Sequence, residues 1–217
     1  MTFKFWAVAG TFAITISSGL GTGVGAPATD NPQIQGANLR IEFDHNLRSR
    51  VVARFDNKET TMGPFTASES VTAADKAWTE FPVTSQKHER VSDAFGKGER
   101  LTVTGKSGTL TKAVSVTMYD EFPAMALFDV QYTNTGTTKL AIKGWTNNAY
   151  TVDTQRNSDT PAFWSYQSGS YEKRPDWIVP LKPNFQQENF LGMNASDYGG
   201  GTPIVYVWRR DVGVAVG

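Results

Sequence analysis

From Leu39 onward, apolar and polar residues alternate two by two rather than in helical threes and fours. Leu39-Arg-Ile-Glu-Phe-Asp-His predicts a half-buried strand, and Arg50-Val-Val-Ala-Arg-Phe55 predicts its partner after a short polar turn. Arg100-Leu-Thr-Val-Thr-Gly and Leu110-Thr-Lys-Ala-Val-Ser-Val-Thr-Met-Tyr flank Lys106-Ser-Gly108, the clearest hairpin signal in the chain. A second hairpin is expected from Ala124 to Trp145. It places Ala126, Phe128, Val130 and Tyr132 on one face, turns at Asn134-Thr-Gly136 and returns through Lys139-Leu-Ala-Ile-Lys-Gly-Trp145. A further strand is expected around Asn148 to Asp153, and Pro203-Ile-Val-Tyr-Val-Trp208 with Val212-Gly-Val-Ala-Val-Gly217 forms the closing pair.

Between Asp56 and Gly98 the alternation fades, which predicts loops and short strands pinned by Phe65, Trp78, Phe81 and Phe95. Two stretches there, Ser68-Glu69-Ser70 and Asp75-Lys76-Ala77-Trp78, fit either binding loops or loops anchored to a core. No window shows a sustained helical period, while turn signals recur every 8–12 residues or so, as in antiparallel sandwiches. The fold class expected is an all-β antiparallel β-sandwich.

At the N-terminus, Lys4 precedes the apolar run Phe5 to Ile16, too short to span a bilayer, and Ala26-Pro27-Ala28 offers an A-x-A cleavage site. Residues 1–28 therefore read as a signal peptide, 29–38 as a linker or tail rich in Pro, Asn, Gln and Gly, and 39–217 as the domain. A secreted or periplasmic location follows, with no membrane contact after cleavage.

The 217 residues carry 21 basic and 21 acidic side chains, so no basic footprint for nucleic acid exists. Cysteine is absent, which excludes disulfides and thiolate metal sites. The two histidines, His45 and His88, stand in unrelated contexts and supply neither a metal cluster nor a Ser-His-Asp triad. No cofactor is implied, and self-association is left open.

The last third concentrates aromatic rings, carboxylates and glycines, a mixture suited to a polyhydroxylated ligand, although the same rings also fill cores. Phe163-Trp-Ser-Tyr-Gln-Ser-Gly, Arg174-Pro-Asp-Trp-Ile178, Asn189-Phe-Leu-Gly-Met-Asn194, Tyr198-Gly-Gly-Gly-Thr-Pro203 and Trp208-Arg-Arg-Asp-Val-Gly-Val-Ala-Val-Gly217 together resemble the N-terminal region of family 36 glycoside hydrolases, the clan D α-galactosidases. The resemblance implies a β-supersandwich preceding a (β/α)₈ barrel that holds both catalytic acids, with further chain expected after Gly217. It therefore implies no catalytic residue in this chain. Asp176, Trp177, Asp197 and Tyr198 become candidate substrate-binding residues, lent to the sugar pocket from sandwich loops. Asp176 and Asp197 equally suit caps or turns, and glycines 199 to 201 suit either close backbone approach or a tight turn. Asn194-Ala-Ser196 matches a glycosylation sequon. The expected partners are a galactose-containing oligosaccharide or polysaccharide and the catalytic barrel of the same chain. The segment alone is expected to be inactive; the alternative is a stand-alone carbohydrate-binding module.

Overall fold

The computed structural model describes residues 31–56, 58–152, 163–166, 178–182, 185 and 204–217. Every regular element among them is a strand, and every strand pairing is antiparallel. No helix of the described residues is long and apolar enough to cross a membrane. The all-β expectation therefore holds at the level of class. The strands fall into four small sheets, an arrangement closer to the blades of a propeller than to the two broad facing sheets of the expected sandwich.

The first sheet is the meander β1 (Gln33–Gln35), β2 (Leu39–Phe43), β3 (Ser49–Phe55) and β4 (Lys58–Thr61). β1 arises from the segment read as a tail and pairs with β2 through Ile34, which is buried opposite Ile41. The β2–β3 turn is built by Asp44, whose Oδ1 accepts hydrogen bonds from the backbone N–H of Asn46 and Arg48, each at 2.9 Å. That turn lets Leu47 adopt φ 56° with a fully buried side chain. Glu42 accepts from Arg40 within β2 at 2.7 Å; across the strands it accepts from Arg50 at 2.6 Å, and Arg40 reaches Glu59 at 2.8 Å. These cross-strand pairs of opposite charge favour the observed register.

β5 (Ser70–Ala73), β6 (Lys76–Trp78) and β11 (Ile142–Thr146) form a three-stranded sheet in the order β11-β5-β6. This corrects two expectations. The chain returning after Asn134 pairs with β5 rather than with the strand before it, and Asn148 to Tyr150 lie outside any strand, leaving only a bridge residue at Thr151.

The second large sheet runs β10-β9-β8-β7, from β7 (Val83–Asp93), β8 (Gly96–Ser107), β9 (Leu110–Tyr119) and β10 (Leu127–Asn134). β7 replaces the expected loop. Phe95, expected as an anchor, is 65% exposed at the β7–β8 turn, where Asp93 Oδ1 accepts from its N–H at 2.9 Å. Inward positions alternate as period two demands: Leu101 and Val103 on β8 meet Val114 and Val116 on β9, all fully buried. They join Ile41, Phe43, Leu47 and Phe81 in one core shared by the sheets.

The fourth sheet is β13-β12-β14-β15, with β12 (Trp164–Tyr166), β13 (Ile178–Pro180), β14 (Val205–Arg209) and β15 (Val212–Val216). Its inner face contributes Phe163, Leu181, Val205, Val207 and Val212 to the core, and β15 packs against β3.

Candidate functional site

The described parts of the segments behind the resemblance, residues 163–166, 178 and 208–217, lie in or beside the fourth sheet. β12 is central, with β13 on one side and β14 on the other: Tyr166 stands opposite both Ile178 and Tyr206. The chain therefore leaves β12, joins β13 and joins β14 at one end of the sheet. Trp177 immediately precedes Ile178, and the Asp197-Tyr198 segment lies in the connection that leads into β14. Asp176, Trp177, Asp197, Tyr198, glycines 199 to 201 and the sequon at Asn194 all lie outside the described residues. What the structure fixes is the shared end of the sheet to which both connections attach.

Period two sends alternate residues of these strands outward. Trp164 faces Trp208 across the β12–β14 pair and Pro180 across the β12–β13 pair, and Trp164, Ile178 and Tyr206 are all exposed at the outer face. Beneath, Arg209 lies 5.1 Å over the Phe163 ring and donates to Asp211 at 2.6 and 3.2 Å. Those hydrogen bonds hold the Asp211 carboxyl below its usual range. Lys58 adds a contact at 3.7 Å that ties the β14–β15 turn to the first sheet.

A narrow crevice separates the inner face of this sheet from β3, lined by Val51, Met62, Tyr150, Val205, Val207 and Val214 among others. Its lining carries Arg50 but no carboxylate, so it lacks the pair of acids that glycoside hydrolysis requires. Among the described residues no group of three or more His, Cys, Asp or Glu side chains could hold a metal ion.

The sequence reading missed a polar cluster inside the core. Lys112 and Glu69 are both fully buried, with Lys112 Nζ 3.9 Å from Glu69 Oε2. The ammonium donates to the backbone oxygens of Glu69 at 2.7 Å and Leu47 at 3.4 Å, and lies 5.6 Å over the Phe81 ring. Ser68 donates to Glu69 Oε2 at 2.5 Å and is hydrogen bonded to Ser49, which in turn sits 3.2 Å from Tyr150 Oη. Among the described residues, Glu69 Oε1 and Tyr132 Oη have no hydrogen-bond partner. Burial pushes the Glu69 carboxyl up against the pull of Lys112, and pushes the Lys112 ammonium down against the pull of Glu69. Burial likewise raises the Tyr132 and Tyr150 phenols. The signal was present: Lys112 shares parity with Leu110, Val114 and Val116 on the inward face of β9. Ser68 and Glu69, left open as a binding loop, are buried and serve the core.

No family model and no curated protein matches this chain.

Proposed function

We propose that this chain is the N-terminal β portion of a secreted α-galactosidase that acts by a retaining mechanism, its sheets forming part of a supersandwich that docks on a catalytic (β/α)₈ barrel. In this reading the barrel supplies both acids. This N-terminal portion helps to shape the sugar pocket, through Asp176 and Trp177 on one connection and Asp197 and Tyr198 on the other. One observation carries the reading: the two connections attach side by side at one end of the fourth sheet, so residues distant in sequence are anchored together. A ring stacks on the apolar face of a sugar while a carboxylate accepts from its hydroxyls, and each connection offers one of each.

The outward row of Trp164, Tyr206 and Trp208 favours a second reading, a stand-alone carbohydrate-binding module with a stacking platform on that face. Kinetics separate the two. In the protein carrying the barrel, Asp176→Asn, Asp197→Asn, Trp177→Ala and Tyr198→Ala are each measured for galactoside turnover alongside Tm. Lower kcat/KM at unchanged Tm supports the galactosidase reading. Parallel loss of stability and turnover rejects it, as does turnover of an aryl α-galactoside by residues 29–217 alone. Binding of polysaccharide by that isolated segment, abolished by Trp164→Ala, would favour the module.

A further inference from the structure

β7 is the longest edge strand among the described residues, and none of its 11 residues is buried. On one side it pairs with β8, with one register shift between Val83 and Ser85. On the other, a single backbone bond is made within the described chain, from Val83 N–H to His45 O at 2.9 Å, at the strand's first residue. An exposed edge of this length is a template for another strand, and soluble proteins ordinarily shorten, cover or protect such edges.

The charges along β7 select a partner. In antiparallel pairing, residues whose backbone groups point outward meet residues of the same kind, and these alternate along a strand. The two-fold axis of a self-pairing therefore passes through one residue and its own copy. Centring it on Lys87, Glu89 or Arg90 sets a like charge against itself. Centring it on Val91 opposes Glu89 to Asp93, and centring it on Gln86 opposes no unlike charges. Centring it on His88 places Lys87 of each copy opposite Glu89 of the other, and Gln86 opposite Arg90. His88 is also the midpoint of Val83–Asp93, so this register centres the pairing on the regular stretch Ser85 to Val91, beyond the register shift and the Val83 bond to His45.

We propose that β7 is a self-recognition edge, through which two copies of this chain join their second sheets antiparallel about His88. Within one chain Lys87 Nζ already donates to Glu89 Oε2 at 2.6 Å. Association closes these two pairs into a ring of four alternating charges. Self-paired, the regular stretch Ser85 to Val91 makes about six to eight backbone hydrogen bonds, within the range of a typical protein interface. The alternating charges then set the register: they match in one and oppose or fail to match in its neighbours. This inference is independent of the sugar-recognition reading.

The test is sedimentation velocity on the full chain. The wild type is expected to dimerise. Lys87→Glu and Glu89→Lys each turn both attractive pairs into repulsive ones, and each raises the dimer dissociation constant by about tenfold or more. An equimolar mixture of the two variants restores unlike pairs at both positions, so a heterodimer of near wild-type affinity is expected, which also shows that both variants are folded. His88→Lys, which sets two cations on the axis, is expected to weaken the dimer in the same way. A wild type that stays monomeric at the highest soluble concentration overturns the proposal. So does a dimer indifferent to Lys87→Glu, or a mixture no tighter than the separate variants.

Discussion

Lys112→Met retains most of the lysine's aliphatic bulk but removes the ammonium from a site of zero solvent exposure. Two quantities are lost. The attraction to Glu69 Oε2 across 3.9 Å is worth about 4 kcal/mol at an effective dielectric constant of about 20. The donor to Glu69 O at 2.7 Å is a charged hydrogen bond, worth about 1.5–3 kcal/mol. Against both stands the desolvation of the lysine itself, several kcal/mol that the variant no longer spends. Breaking one side of a buried pair leaves a net loss of about 3–5 kcal/mol, which for a domain of this size lowers Tm by roughly 6–20 °C. The loss depends on pH with a definite sign. Glu69 is raised in the folded state, so its contribution is fully present below the unfolded carboxylate pKa of about 4.3 and is lost as pH rises through the folded value. Without Lys112 that folded value rises further, and the variant's deficit is larger at pH 8 than at pH 5. Adding Glu69→Gln keeps the oxygen to which Ser68 donates while removing the orphaned charge, and at least half of the lost stability returns. Urea unfolding followed by tryptophan fluorescence, at both pH values, measures all three proteins. A Lys112→Met loss below about 1 kcal/mol at pH 8, or a double variant no more stable than the single one, refutes the reasoning.

Gly105→Ala would set a Cβ 2.2 Å from the Phe81 backbone oxygen, and the forced shift costs about 1–3 kcal/mol in a urea titration. Burial alone would raise Glu42, but hydrogen bonds from Arg50 and Arg40 hold it below its usual value. Its contribution is therefore present above about pH 4.3 and lost as pH falls through the lower folded pKa. Glu42→Gln removes that part of the acid dependence, which Tm measured from pH 6 down to pH 3 records as a flatter curve. On the proposed galactosidase reading, Asp176→Asn or Asp197→Asn in the protein carrying the barrel would remove a charged hydrogen bond worth about 1.5–3 kcal/mol. That lowers kcat/KM by roughly ten- to hundredfold with Tm unchanged, as steady-state kinetics beside thermal melts will report.

Strands with one wet and one dry face were legible. Leu39 to Phe43 with Ser49 to Phe55, and the hairpin around Gly108, appear where alternation placed them, because burial on one side writes a period of two into the sequence. β7 left no such trace: beyond Val83 its residues are mostly exposed on both faces, so no apolar residue need recur, and among the described residues pairing with β8 holds it extended. Partner choice was also hidden. Ile142 to Thr146 reads as a strand, but nothing local says that it pairs with Ser70 to Ala73 rather than with β10. Lys112 drew no separate reading, although its parity with Val114 and Val116 points inward. Of the candidate site, the sequence named the aromatic-rich segments. Their common attachment depends on pairing between Tyr166 and Tyr206, which local pattern does not encode.

That common attachment bears on how such a protein can change over time. The short strands β12, β13 and β14 are knitted to one another by backbone pairing, and the connections between them leave from and return to fixed posts. Doubling the length of a flexible connection between fixed ends costs only about 0.6 kcal/mol. Insertions or deletions beyond Tyr166 or ahead of Val205 can therefore be sampled almost neutrally. On the proposed reading, ligand preference could then change by exchange of one connection while its neighbour and the core stay as they are.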